Sequence, residues 1–221
     1  MPRNRPLILA HRGVHAVHPE NSLPAFKAAF QAGADGIECD VQKTGDGAYV
    51  IIHDAPPSSP GRAGLPRLEQ MLASLPPGAF LNLELKADTL KPPDCASIYE
   101  ALSRRPAGCP VLVSSFEPRL LPYFKARGIP TGLLVGEEAA KLGLLGITRE
   151  ISRLKPDYLN LPILMFEILG RRRASALARL LRALGFSLAF WTVTRKEEVH
   201  LVRKLARIII TDDVEGVRAA L

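Results

Sequence analysis

Cysteine is scarce in this sequence and follows no pattern. The three that occur, Cys39, Cys95 and Cys109, are odd in number, and no two have Cys-x-x-Cys spacing. Neither a disulfide framework nor a thiolate zinc site is expected. Long hydrophobic runs are also missing. No stretch approaches the roughly 20 apolar residues that a bilayer-spanning helix needs. The apolar run inside the opening MPRNRPLILAHRG is far too short for a secretory signal. A soluble cytoplasmic protein, with no integral membrane association, is therefore the expectation. Aromatic residues make up 6% of the chain and do not interleave with basic segments, so the stacking platform of a single-strand nucleic-acid binder is absent. No low-complexity run and no solenoid-period repeat occurs.

What is present suits a globular protein. Hydrophobic residues form 47% of 221, enough for one sizeable core, and the reading is a single domain over residues 1–221. Lys and Arg number 29 against 22 Asp and Glu, a formal charge of +7. Such a balance favours nucleic acid, anionic lipid surfaces or phosphorylated small molecules as partners. The densest basic cluster is Arg171-Arg172-Arg173, followed by Arg179 and Arg182. Helical spacing puts much of it on a solvated face.

Short β-like runs alternate with longer amphipathic ones. The pattern predicts strands at residues 7–10, 36–40, 79–85, 110–114, 131–135, 157–160, 187–192 and 207–211. It predicts helices at 22–32, 65–75, 94–103, 118–127, 137–145, 165–184, 195–205 and 213–221. Asn21 or Ser22 can cap the first helix, with Pro24 in its first turn. Gly185 is a C-terminal stop. Eight strand-then-helix units predict a parallel sheet, and eight is the number that closes a (β/α)8 TIM barrel. An extra hairpin strand at 48–53 falls in the loop after the second strand.

In such a barrel the chemistry gathers where the strands end, and the strand ends here carry reactive residue types. His11 and Arg12 close the first strand, Glu38 and Asp40 the second, His53 the hairpin, and Glu84 and Lys86 the third. Trp191, the single tryptophan, closes the seventh. Period two puts Glu38 and Asp40 on one side of their strand, with Cys39 on the other as a small packed apolar group. Three clustered carboxylates repel unless a cation sits among them. An all-oxygen set favours Mg²⁺ or Ca²⁺ over zinc. Taken singly, each residue has an ordinary explanation: a capping carboxylate, a core histidine, an ion-pair lysine. Their convergence on one mouth does not. His15, His18 and His200 read as surface residues, and Glu20 and Asn21 as loop-shaping or capping ones.

An ordered set of motifs runs through these positions: His11-Arg12-Gly13, Pro19-Glu20-Asn21-Ser22, Glu38-x-Asp40, His53-Asp54, then LPRLEQML, NLELK, Ser115-Phe116, Trp191-Thr-Val193 and Thr211-Asp212. In this the chain resembles the glycerophosphodiester phosphodiesterase family. The resemblance implies hydrolysis of small-molecule glycerophosphodiesters to sn-glycerol 3-phosphate and an alcohol. It implies one divalent cation on Glu38, Asp40 and Glu84, and acid and base roles for His11 and His53. It sets Arg12 and Lys86 near the phosphate, and Phe116 and Trp191 around the substrate mouth.

Three departures stand out. Only about ten residues, Ala55 to Gly64, separate His53-Asp54 from Leu65, where relatives usually carry a longer insertion over the glycerol moiety. A more open mouth is expected. Thr194 and Val214 stand where Asn and Pro are commoner. Two other functions are weighed against the main one. One is a lysophospholipase D-like enzyme acting on lipids, marked by an exposed apolar rim near 55–66 and 163–166. The other is a non-catalytic barrel that binds phosphate ligands.

Overall fold

The computed structural model describes residues 5–55 and 64–221, with residues 137–145 described through their backbone alone. The strands are β1 (Leu7–His11), β2 (Gly36–Lys43), β3 (Tyr49–Ile51), β4 (Phe80–Leu85), β5 (Val111–Ser115), β6 (Thr131–Leu134), β7 (Tyr158–Pro162), β8 (Ser187–Trp191) and β9 (Ile208–Thr211). The helices are α1 (Leu23–Gln31), α2 (Leu68–Ser74), α3 (Asp94–Ser103), α4 (Pro122–Lys125), α5 (Glu137–Leu154), α6 (Met165–Ile168), α7 (Arg171–Ala183), α8 (Lys196–Val202) and α9 (Val214–Ala220).

Eight strands are parallel, in the order β1-β9-β8-β7-β6-β5-β4-β2, and β1 pairs with β2 to close the ring. This is a (β/α)8 barrel. The ninth strand, β3, runs antiparallel on β2 outside the ring, with Val41 opposite Ile51. Runs such as LILAH and IIIT are apolar on both faces because both faces are covered. Inside, Leu9, Leu112, Ala189, Ile208 and Ile210 fill the barrel. Outside, Ile8, Ile37, Cys39 and Leu83 pack against Phe26, Met71, Ile98 and Phe124 from the surrounding segments. Burying each such side chain is worth about 1.5–3 kcal/mol.

Glycine is demanded where the first helix meets the barrel. Gly13 has φ +82, and a Cβ there would lie 2.7 Å from the Ala25 carbonyl carbon. That close approach lets Val14 N–H donate to the Ala25 carbonyl at 3.0 Å, docking α1 beside the end of β1. Ser22 is the cap of α1, its hydroxyl accepting from Ala25 N–H at 3.3 Å.

Three expected helices differ. The span 118–127 divides into a 3₁₀ turn, Pro118–Leu120, and α4, because Pro122 restarts the chain at a first-turn position. The helix expected at 137–145 runs on to Leu154, through Gly146, and ends on Lys155 in the left-handed conformation. The span 165–184 breaks at Gly170, whose φ of +76 no helix accommodates, giving α6 and α7. Gly185, at φ +96, ends α7 as expected. Among the described residues, no helix is long and apolar enough to cross a membrane.

Candidate active site

Register assembles the candidate residues. His11 lies opposite Glu38 across β1 and β2, and Asp40 lies opposite Glu84 across β2 and β4. Because β2 alternates, Glu38 and Asp40 both face the barrel interior while Cys39 packs outward, buried, its thiol pushed well up by that burial. Glu38, Asp40 and Glu84 are all buried, and one carboxylate oxygen from each falls within 4.8 Å of the others. A cavity of about 580 Å³ opens above them. His11, Arg12, Glu38, His53, Glu84, Lys86, Phe116 and Trp191 line it, and Asp40 lies beneath, 1% exposed. All nine sequence-predicted residues thus meet at one mouth. The segment 56–63, on which the expectation of a shortened cover rests, lies outside the described residues.

Two cations face the three acids. Lys86 Nζ is 3.0 Å from Glu84 Oε1 and 3.5 Å from Asp40 Oδ1. Arg12 Nε is 3.4 Å from Asp40 Oδ2, and its Nη1 donates to both Glu20 oxygens at 3.2 and 3.0 Å. Arg12 Nε is buried and makes no hydrogen bond, its charge facing Asp40. Burial, helped by Asp40 and Glu84, pushes the Glu38 carboxyl well above its ordinary range. Burial and then Asp40 push Glu84 up to about 7, against the pull of Lys86. Burial alone would lower Lys86, but Glu84 and Asp40 outweigh it and hold the ammonium charged. The cluster is short of positive charge. A hard divalent ion relieves that shortage, and three converging carboxylate oxygens are the donors such an ion takes.

Each histidine is held at one nitrogen. His11 Nδ1 sits 2.7 Å from Asp212 Oδ1, while its Nε2 lies 4.0 Å from Glu38. His53 Nδ1 sits 2.9 Å from Asp54, and the His53 carbonyl accepts from Gln42 Nε2 at 2.6 Å. Burial works against ionisation of Asp212, but hydrogen bonds from His11 and His15 outweigh it and lower its carboxyl. Phe116 and Trp191 meet edge to face with centroids 5.9 Å apart, and the indole N–H donates to the Asn160 carbonyl at 3.1 Å.

The profile of the Glycerophosphoryl diester phosphodiesterase family matches residues 11–76, the segment carrying most of these groups. Over 48 residues the chain is 58% identical to a glycerophosphodiester phosphodiesterase of Caldanaerobacter subterraneus, covering 22% of this chain and 20% of that one. Over 49 residues it is 51% identical to a probable glycerophosphodiester phosphodiesterase 1 of Mycobacterium tuberculosis, covering 22% and 18%. The matched segment thus spans about a fifth of these relatives. The fold extends the likeness. The crystal structure of a glycerophosphodiester phosphodiesterase from Thermotoga maritima superposes with a TM-score of 0.79 at 25% identity, covering 96% of this chain and 97% of that one. By sequence in its first third and by fold throughout, the chain is similar to glycerophosphodiester phosphodiesterases. A phosphodiesterase of Oleispira antarctica, solved with the product sn-glycerol-3-phosphate, shares the fold at TM-score 0.80 and 24% identity, covering 98% and 96%.

Within this site, three residues matter more than the sequence reading allowed. Asn21, read as a capping residue, is buried with φ +55, and its side-chain amide donates to Asp40 Oδ2 at 2.9 Å. His15, read as a surface residue, brings Nε2 to 3.1 Å from the Asp212 oxygen that His11 also uses. Asp212 itself, quoted in the last motif, orients His11. A carboxylate one step beyond a strand end was the available signal for it. His18 lines a separate surface pocket and His200 is exposed on α8.

Proposed function

We propose that the chain, acting as one domain over residues 1–221, is a metal-dependent hydrolase of glycerophosphodiesters that releases sn-glycerol 3-phosphate and an alcohol. The observation that carries this reading is the trio of buried carboxylates, one oxygen of each within 4.8 Å of the others, sharing one cavity with two oriented histidines and two cations. The product bound to the Oleispira antarctica relative supports the substrate class. Glu38, Asp40 and Glu84 would hold Mg²⁺ or Ca²⁺, which when bound draws charge from the phosphate and acidifies the attacking hydroxyl.

The remaining work falls to the chain's own residues. The Arg12 guanidinium faces a phosphate in the cavity, and Lys86 adds a fixed positive charge beside it. Asp212 holds His11 at Nδ1, which leaves Nε2 turned toward the cavity. Asp54 does the same for His53. One imidazole takes the proton of the nucleophile while the other gives a proton to the departing alkoxide, each transfer worth about 10²–10⁴-fold. Phe116 and Trp191 wall the side of the cavity where the substrate's organic part enters.

Incubation of the purified chain with glycerophosphocholine tests this. Release of glycerol 3-phosphate with Mg²⁺ or Ca²⁺, abolished by EDTA, is expected. Phosphate-ester binding without turnover under any metal would favour the non-catalytic reading. A lysophospholipid substrate is the second reading, favoured by the exposed Leu164, Ile168 and Leu169 beside the mouth. Relative turnover of lysophosphatidylcholine and glycerophosphocholine separates the two.

A further inference from the structure

Eight large apolar side chains are exposed among the described residues. Five of them follow strands at the mouth end of the barrel: Val17 after β1, Phe116 after β5, and Leu164, Ile168 and Leu169 after β7. The last three are 51%, 72% and 40% exposed. They sit on and beside α6, whose other side buries Met165 and Phe166. Gly170 then turns the chain, and the first turn of α7 is Arg171-Arg172-Arg173, all exposed and with no acidic residue among them.

That first turn opposes local physics. The amino end of a helix carries partial positive charge and favours acids, so three arginines there weaken the helix they begin. None of the three makes an ion pair among the described residues. The neighbouring acid, Glu167, is already engaged by Arg195 at 3.1 Å. A locally unfavourable arrangement of this kind points to a use outside the fold. Apolar tips beside unpaired arginines are the composition of an interfacial anchor for anionic lipid, in which the greasy groups enter the acyl boundary and the guanidinium groups lie among the phosphates.

We propose that the α6–α7 rim docks the barrel, mouth first, onto an anionic lipid bilayer. Leu164, Ile168 and Leu169 enter the surface, and Arg171, Arg172 and Arg173 supply its charge complement. The docking goes beyond the catalytic reading and needs it only for its purpose, which is to bring the cavity to diesters at the bilayer surface.

Sedimentation of the full chain with vesicles tests it. Strong partition is expected onto mixed phosphatidylglycerol and phosphatidylcholine, and about tenfold less onto phosphatidylcholine alone. Ile168→Ser and Arg172→Glu, both at exposed positions, should each weaken partition about tenfold. Their circular dichroism and their hydrolysis of water-soluble glycerophosphocholine should stay unchanged. Three results would overturn the proposal: no partition onto anionic vesicles, loss with Arg172→Glu but none with Ile168→Ser, or a dimer in light scattering that Ile168→Ser dissolves without vesicle binding. The expected partition without turnover of any diester would leave the docking standing and remove the catalytic reading.

Discussion

Glu84 is where the balance of the site can be read most directly. Burial and Asp40 raise it to about 7, so its negative charge near neutral pH is held at a cost to the fold. Glu84→Gln keeps the shape and removes that charge. Without metal the variant should therefore resist urea better than the parent above pH 7. It should also lose the stabilisation that Mg²⁺ or Ca²⁺ gives, together with most of its turnover. Equal metal stabilisation of parent and variant would exclude Glu84 as a ligand. In the proposed mechanism Asp212 would act through His11, which it holds at Nδ1. Asp212→Asn can no longer accept His11 Nδ1–H with a full charge, and it lets the other tautomer form. The expected result is a fall in kcat of about 10–100-fold at little-changed KM. The acid limb of the pH–rate profile should move as well, which a merely structural role for Asp212 would not produce.

Elements carry these residues, and their legibility differed. Strand β2 was readable because alternation is a local property: Glu38 and Asp40 must share a face whatever surrounds them. The close approach of α1 to β1 was not read from the sequence, where Gly13 stood only as part of a motif; its φ +82 against the Ala25 carbonyl is a matter of tertiary packing. Gly13→Ala should cost about 2 kcal/mol or more, seen as a fall in Tm of roughly 4–8 °C. An unchanged Tm would mean that α1 can withdraw freely. Asn21 was not readable, because its aim at Asp40 depends on a left-handed backbone that its sequence neighbours do not announce. His15 was missed for another reason. Its partner Asp212 is 197 residues away, and only closure of the ring joins them. The break between α6 and α7 needed more weight on Gly170 than the uninterrupted apolar pattern suggested.

For the whole molecule, the acidic cluster ties stability to pH. Glu84 has an ordinary value of 4.5 and a folded value of about 7, and Glu38 is raised as well. Between those limits the folded chain holds more protons than the unfolded one, so stability falls as pH rises from about 4.5 to about 7. In EDTA the urea midpoint should decline across that window. Millimolar Mg²⁺ or Ca²⁺ at pH 8 should restore it, because an ion that binds only the folded state stabilises by mass action. A midpoint that rises through the same window in EDTA would contradict the assignment of a crowded, charge-starved cluster.

Ring closure also sets an order of events at the ribosome. The strand β1 emerges first but pairs along its length with β9, Leu7 with Ile208 through Ala10 with Thr211. His11 finds Asp212 across 201 residues of chain. The barrel therefore cannot close on this edge until β9 has been made, and pairings this distant in sequence form slowly. Fragments that stop short of β9 should lack the proposed turnover, because His11 then has no Asp212 to orient it.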